Sequence, residues 1–322
     1  MPGMRIIDPY RGINLKKTTV SVMGTSLSVR MLKKLVRFLS SYYERFPIFE
    51  CIEIETINRC NGSCTFCPAG LKPDKRPFAK MDGSLFAKII EELAAMKYKG
   101  RIALYSNNEP YLDERIIEFI AASKRACPQA FVFLYSNGSL LDPALLLRSF
   151  EAGLDQIFIN QYGGGMTLKE NLKNIFRQSK KPGFRDFFEK IYIFLRKDNE
   201  LLSNRGGNAP NKDIIFYKDF LRYRDIGCTQ PFRKMVVRSS GEVSLCCSDV
   251  YGEMMLGDVS RKPLLGIWKG EAFEAIRRNL KTTGRKGIPV CRRCDVMDLS
   301  RDFRIVMGDF FYKAVSPRRI SY

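Results

Sequence analysis

Three cysteines near the beginning of the chain have a spacing that suits an iron–sulfur cluster. The segment RCNGSCTFCP places Cys60, Cys64 and Cys67 in a C-x3-C-x2-C pattern, with the aromatic Phe66 directly before the last one. Three thiolates can bind three irons of a [4Fe-4S] cube and leave the fourth iron open for an outside ligand. Zinc fits less well, because a closed zinc site needs four ligands and the chain has no histidine to complete it.

Four more cysteines lie toward the end of the chain. They are Cys228, Cys246, Cys291 and Cys294, and Cys247 is a spare neighbour of the second. Thiols grouped in this way indicate metal ligation rather than disulfides. Four thiolates hold either one further cluster or a tetrahedral zinc ion. We prefer an auxiliary iron–sulfur cluster because the first cysteine set already suits one.

Composition limits the partners that these sites serve. The chain of 322 residues has a formal charge of +20, which favours an anionic partner such as a phosphorylated or nucleotide-linked small molecule, or an acidic membrane surface. A solubilising surface explains the charge equally well, and no nucleic-acid-binding motif is present, so nucleic acid is not expected. The absence of a secretory signal and of a long apolar run predicts a cytoplasmic protein.

The elements that must position the cysteines alternate between strands and helices. Strands are predicted at 50–57, 101–106, 130–138, 156–160 and 190–196, and helices at 84–98, 114–126, 143–153 and 167–178. This rhythm predicts an α/β fold with a parallel sheet, a partial (β/α)6-type barrel. Active residues are then expected in the loops after the strands, where the first cysteine set lies.

The ends of the chain differ from this core. Residues 1–26 predict an irregular lead-in, and residues 27–46 predict a basic amphipathic helix that packs on its own domain or lies on a membrane surface. In the last third, residues 235–247 predict a hairpin that turns at Ser240-Gly241, and residues 267–281 predict a helix. The predicted units are an N-terminal extension (1–48), a core (49–215), an auxiliary-cluster domain (216–300) and a basic tail (301–322).

The first cysteine set resembles that of the radical S-adenosylmethionine (SAM) family. The resemblance implies that SAM binds the open iron and that its cleavage gives a 5′-deoxyadenosyl radical, which removes hydrogen from a substrate. A reducing partner such as flavodoxin or ferredoxin is also implied. The second cysteine set is similar in order to the SPASM/twitch extension of these enzymes, which implies one fully ligated auxiliary [4Fe-4S] cluster.

Further positions match the family's SAM-binding motifs, with one departure. Where family members have Gly-Gly-Glu-Pro, this chain has Asn107-Asn108-Glu109-Pro110, and we expect asparagine to tolerate a left-handed turn there. The resemblance implies that Asn108 and Glu109 hold SAM's amino group. Phe66 and polar strand-end residues are implied to complete the SAM site, although such polar residues also serve as turn formers. The strand-end residues are Ser136, Asn160 and Gln161.

Over residues 50–295 the chain resembles 2-deoxy-scyllo-inosamine dehydrogenase-like radical SAM dehydrogenases. The most specific stretch is LSNRGG, which implies that Arg205 lies at the active site and deprotonates or binds the substrate. Because a guanidinium stays protonated, we expect Arg205 instead to donate hydrogen bonds to the substrate oxygen or to the SAM carboxylate, a structural salt bridge being the alternative. The resemblance implies oxidation of a sugar, cyclitol or similar alcohol to a ketone, with the auxiliary cluster taking the electron. Cys247 replaces an aromatic residue of these relatives and is expected at the substrate cavity, as an alternative ligand, a reactive thiol or a buried hydrophobe.

Three other functions remain open from the sequence. Cys247 would permit radical epimerisation by returning hydrogen from its thiol. Peptide modification often accompanies SPASM domains, but it predicts a leader-binding module for which the N-terminal extension is short. A basic zinc protein that binds nucleic acid or membrane through residues 27–46 and the C-terminal tail is the non-enzymatic alternative.

Overall fold

One mixed sheet of nine strands runs through the part of the chain that the structure describes. That part comprises residues 5–7, 29–163, 167–178, 185–197, 203–210 and 224–296 of a computed structural model. The strands are β1 (Arg5–Ile7), β2 (Cys51–Ile54), β3 (Arg101–Ala103), β4 (Phe131–Ser136), β5 (Gln156–Tyr162), β6 (Ile191–Arg196), β7 (Lys234–Val237), β8 (Glu242–Ser244) and β9 (Met255–Asp258). Their order across the sheet is β1-β6-β5-β4-β3-β2-β7-β8-β9.

Strand direction follows the alternation of strands and helices. Every pairing from β1 to β7 is parallel, and β8 and β9 add two antiparallel pairings. Parallel neighbours need crossover connections, and helices supply most of them. The carboxyl ends of β2 to β6 therefore open at one edge, as predicted for a partial α/β barrel.

Helices cover the outer face of this sheet. They are α1 (Val29–Tyr43), α2 (Gly83–Ala95), α3 (Ile116–Ala126), α4 (Pro143–Glu151), α5 (Glu170–Gln178), α6 (Gln230–Arg233), α7 (Leu264–Trp268), α8 (Glu271–Thr282) and α9 (Pro289–Arg292). Asp82 and Asp142 cap two of them by accepting backbone N–H groups of the first turn. Within the described ranges, no helix is long and apolar enough to cross a membrane.

A small buried cluster with aromatic side chains packs along the central strands of the sheet. Cys51, Ala103 and Phe133 form a small buried cluster there, and four partly buried rings pack around it. The Arg101 guanidinium lies 4.1 Å from the centre of the Phe133 ring, a cation–π contact. Two of these rings, Tyr105 and Tyr135, also line the cavity at the carboxyl ends of the strands.

Three features differ from the sequence prediction. The lead-in is not wholly irregular, because β1 pairs with β6; three residues are too few to show an alternating pattern. Residues 267–281 form two helices instead of one, since Gly270 lies in extended backbone and begins α8. β7 also joins the core sheet beside β2, so the cysteine-rich region shares the barrel's sheet.

Candidate active site

A cavity of about 830 Å³ opens at the carboxyl ends of the parallel strands. Its walls include the first cysteine loop, the turn after β3, the ends of β4 and β5, and residues from the C-terminal region. Arg205 and Cys247 line the same cavity as Cys60, Cys64 and Cys67. The structure thus brings the first cysteine loop close to two candidate catalytic residues from the later part of the chain.

The first cysteine loop is a compact turn with room for a cluster. The Cys67 N–H donates to the Cys64 carbonyl at 3.1 Å, and the Gly62 N–H donates to the Cys60 Sγ at 3.3 Å. A Cβ at Gly62 would lie 3.4 Å from the Cys60 Sγ and 3.7 Å from the Cys64 Sγ. Glycine thus places no side chain beside the two sulfurs, which suits a loop whose sulfurs would hold a cluster.

Glu109 is a buried carboxylate in the cavity wall. It accepts hydrogen bonds from the Ser136 hydroxyl at 2.8 Å and from the Asn137 backbone N–H at 2.7 Å. Burial raises its pKa to about 7, although these hydrogen bonds act in the opposite direction. Within the described residues no lysine or arginine forms an ion pair with Glu109, so the wall fits a cationic ligand group such as an ammonium.

The turn before Glu109 explains why asparagine replaces glycine. The Asn107 Nδ2 donates to the Cys247 carbonyl at 3.1 Å, and the Asn108 Oδ1 accepts the Ser106 N–H at 2.8 Å. Neither asparagine has a positive φ, so the expected left-handed turn is not used. The side chains instead stabilise the turn and tie it to the C-terminal region.

Phe66 and the strand-end residues occupy different positions. Phe66 is buried, lines the cavity and packs on Tyr162 with ring centres 5.2 Å apart. Ser136 and Asn160 also line the cavity. Gln161 lies outside it, because side chains of a strand alternate between faces.

Gln161 has a structural environment of its own. Its Nε2 donates to the Thr167 carbonyl at 2.7 Å, and its Oε1 accepts the Lys169 N–H at 2.7 Å. The side chain is buried and is engaged by the loop that follows β5. Among the predicted SAM contacts, Gln161 is therefore one that the structure does not bring to the cavity.

Arg205 enters the cavity from a strained loop. It has a φ of 47°, and Gly206 and Gly207 follow with φ values of 64° and 85°. A left-handed conformation costs a non-glycine residue about 1–2 kcal/mol, so surrounding contacts must hold it. Burial opposes the charge of Arg205, but nearby Cys67 and Cys247 raise the pKa of its guanidinium above the usual value.

A charged pair that the sequence analysis did not identify also lines the cavity. The Lys234 Nζ lies 2.5 Å from the Glu53 Oε1, and the Ser106 hydroxyl donates to the Glu53 Oε2 at 2.9 Å. Burial opposes the charge of Lys234, but Glu53 and Cys247 raise its pKa overall. In the sequence, this pair could have been suspected from Glu53, an acidic residue within the alternating strand predicted at 50–57.

The four C-terminal cysteines converge on one another. Cys291 and Cys294 are buried, and Cys228 and Cys246 are partly buried. Burial raises the pKa of the Cys246 thiol, and Cys247, Cys291, Cys294 and Cys228 raise it further. In the described part of the chain, no three cysteine or acidic side chains are spaced to surround a single metal ion. The ligands of a four-iron cube are further apart than those of one ion.

Comparison with family models covers both regions. The model described as "Radical SAM superfamily" matches residues 54–197, and the SPASM model, described as "Iron-sulfur cluster-binding domain", matches residues 228–295. A curated relative from Niallia circulans is named S-adenosyl-L-methionine-dependent 2-deoxy-scyllo-inosamine dehydrogenase. It is 26% identical over 251 residues, which cover 77% of this chain and 93% of the relative.

Solved structures are similar over the same part of the chain. The crystal structure of BtrN in complex with AdoMet and 2-DOIA has a TM-score of 0.66 and 26% identity, covering 77% of this chain and 94% of that chain. Native anSMEcpe with bound AdoMet has a TM-score of 0.50 at 12% identity, covering 76% and 88%, and is similar in fold alone.

These matches agree with the two cysteine sets. A radical SAM domain binds SAM and a [4Fe-4S] cluster, and a SPASM domain binds auxiliary iron–sulfur clusters. The predicted cofactors are thereby confirmed at the level of the domains. The chain therefore carries a radical SAM domain over residues 54–197, followed by a SPASM-type iron–sulfur domain over residues 228–295.

Proposed function

We propose that this protein is a radical SAM oxidoreductase that converts a carbinol of a sugar, cyclitol or similar small molecule to a ketone. This proposal rests mainly on one observation: the Cys60 loop, Arg205 and Cys247 line the same cavity. Cys246, the neighbour of Cys247, groups with the other C-terminal cysteines. Similarity to a relative named a 2-deoxy-scyllo-inosamine dehydrogenase supports this reaction type.

Each group of residues in this cavity has its own proposed role. When bound, SAM and the two clusters supply hydrogen-atom abstraction and an electron acceptor. Cys60, Cys64 and Cys67 would hold the first cluster, while Glu109 would accept a hydrogen bond from the amino group of SAM. Arg205 donates hydrogen bonds to the substrate oxygen or to the SAM carboxylate, since a guanidinium stays protonated and is a poor base. Loss of a hydrogen atom, a proton and an electron from the alcohol balances as a ketone.

Cavity charge supports a substrate with an anionic substituent. Arg205 and Lys234 are cationic, whereas Glu53 is the carboxylate near both of them. Over the whole cavity lining, Lys169, Arg205 and Lys234 outnumber Glu53 and Glu109 by one positive charge, which an anionic group would offset. The proposed substrate is therefore a polyol that carries phosphate or another acidic group.

A substrate panel tests this function. The anaerobically reconstituted protein is incubated with SAM, a reductant and 2-deoxy-scyllo-inosamine, further cyclitols, or sugar phosphates. We expect an anionic polyol to increase 5′-deoxyadenosine formation and to yield a product lighter by two hydrogens. A product of unchanged mass would contradict dehydrogenation.

Epimerisation is the second candidate because Cys247 lines the cavity. In deuterium oxide, an epimerase would place one deuterium at the reacting carbon, so its product would be about one mass unit heavier than the substrate instead of lighter by two hydrogens. Replacement of Cys247 by alanine would then abolish the second hydrogen transfer. A dehydrogenase would still form its ketone in this variant.

We also propose that the protein works in the cytoplasm with a reducing partner protein. Free cysteines and oxygen-sensitive clusters suit the reducing cytoplasm, where flavodoxin or ferredoxin could supply electrons.

Helix α1 packs through Leu32, Val36 and Leu39 on its own domain. Met31 and Phe38 stay exposed among basic residues, which supports peripheral contact with an acidic membrane. Sedimentation with anionic and neutral vesicles tests that contact.

A further inference from the structure

The loop that carries Arg205 is tied directly to the second cysteine pair. The Asn204 backbone N–H donates to both carboxylate oxygens of Asp295, at 2.8 and 3.0 Å. The Asn204 Nδ2 donates to the Arg293 carbonyl at 2.6 Å, and its Oδ1 accepts the Asp295 N–H at 3.1 Å. These contacts flank Cys294, so the loop is anchored next to a predicted cluster ligand.

Arg293 holds the same loop from the other side. Its Nε donates to the Gly206 carbonyl at 2.6 Å, and its guanidinium forms an ion pair with Glu253. A Cβ on Gly207 would lie 2.7 Å from the Arg293 Cδ. The two glycines therefore permit a close approach that a larger residue would prevent.

The strain at Arg205 needs these anchors. A positive φ at a residue other than glycine persists only where surrounding contacts fix the backbone. Asn204 precedes Arg205 and is anchored at its backbone N–H and its side chain, while Gly206 is anchored at its carbonyl. Arg205 is thus clamped on both sides by residues that neighbour Cys294.

We propose that Asp295 and Arg293 are positioning residues, which hold Arg205 in the cavity. Through them, the position of Arg205 depends on the position of the loop that carries Cys294. The proposal depends on the proposed function only for the substrate contact of Arg205. A second tie supports it, because Asn107, from the turn that carries Glu109, donates to the Cys247 carbonyl. Loops from both domains thus fix the cavity wall beside the auxiliary cysteines.

Replacing Asp295 by alanine in the reconstituted protein tests this. Amide hydrogen exchange of residues 203–209 should become about tenfold faster, as expected for the loss of the Asn204 anchor. Modification of Arg205 by phenylglyoxal, read by mass spectrometry, should also speed up severalfold. Exchange in β4 and the iron content should stay at wild-type values.

Two comparison variants keep the result interpretable. Asp295→Asn retains one acceptor oxygen and should restore most of the protection. Asp258→Ala removes an acidic side chain that accepts a turn hydrogen bond elsewhere in the same domain, and it should leave the 203–209 loop unchanged.

Other results would overturn the proposal. Unchanged loop exchange and unchanged Arg205 reactivity in Asp295→Ala would do so, as would Asp295→Asn behaving like the alanine variant. Should Asp295→Ala fail to load iron, Arg293→Met removes the donor to the Gly206 carbonyl and so tests the second anchor of the loop, and wild-type Arg205 reactivity there would exclude the proposal. None of these readouts needs the substrate, so failure of the substrate panel leaves this test intact.

Discussion

Glu109 combines burial with the absence of an ion-pairing cation among the described residues, and its pKa rises to about 7 for that reason. Its negative charge is lost as the pH falls through that value. Because the proposed role is to accept a hydrogen bond from SAM's amino group, which a protonated carboxyl does less well, SAM affinity should be about tenfold weaker at pH 6 than at pH 8. Anaerobic equilibrium dialysis measures this affinity. Glu109→Gln should bind weakly at both pH values, and a wild-type affinity independent of pH would contradict the assignment.

Gly62 offers a second test at the scale of one residue. A methyl group there would lie 3.4 Å from the Cys60 Sγ and 3.7 Å from the Cys64 Sγ, next to a cluster held by these sulfurs. Gly62→Ala should therefore lower the iron content, measured after reconstitution, by the share that belongs to the first cluster. Gly83→Ala is the matched control, because a Cβ at Gly83 meets no atom within 4 Å. Full iron loading of Gly62→Ala would show that the cluster does not use this space.

At the scale of elements, the parallel pairing of β2 with β7 creates the Glu53–Lys234 pair. Removing one partner of a buried ion pair leaves an uncompensated charge, which costs about 3–5 kcal/mol. Lys234→Met should lower the free energy of unfolding by that amount, measured by chemical denaturation. The double variant Glu53→Gln/Lys234→Met should recover most of it. Equal stabilities of Lys234→Met and the wild type would contradict a buried pair.

The same pairing shows what the sequence could and could not predict. Alternation in residues 50–57 predicted β2, but it did not distinguish Glu53, which lines the cavity, from Glu55, which pairs with Arg76. Lys234 had no local signal, since only the long-range contact between β2 and β7 brings it to Glu53. The cysteines were easier, because their ligand role depends on spacing within short segments. Gln161 was misplaced because proximity to a strand end does not fix which face a side chain occupies.

At the scale of the whole molecule, two distant parts of the chain meet at one cavity. Along the chain, the first cysteine loop follows β2. The auxiliary cysteines come before β7, after β8, and within and just after helix α9. Since β7 pairs with β2, the sheet that positions the radical-generating site also positions the auxiliary site. This arrangement suits a reaction in which the group held by the first cysteine loop leads to removal of hydrogen and the group held by the auxiliary cysteines, next to Cys247, accepts an electron.

Iron counting tests this arrangement most directly. The protein is reconstituted anaerobically, and iron and 5′-deoxyadenosine are measured for the wild type and for the variant with Cys60, Cys64 and Cys67 replaced by alanine. Two [4Fe-4S] clusters require about eight irons per chain in the wild type and about four in the variant, which should form no 5′-deoxyadenosine. About four irons in the wild type with none in the variant, or firmly bound zinc without SAM cleavage, would contradict the account.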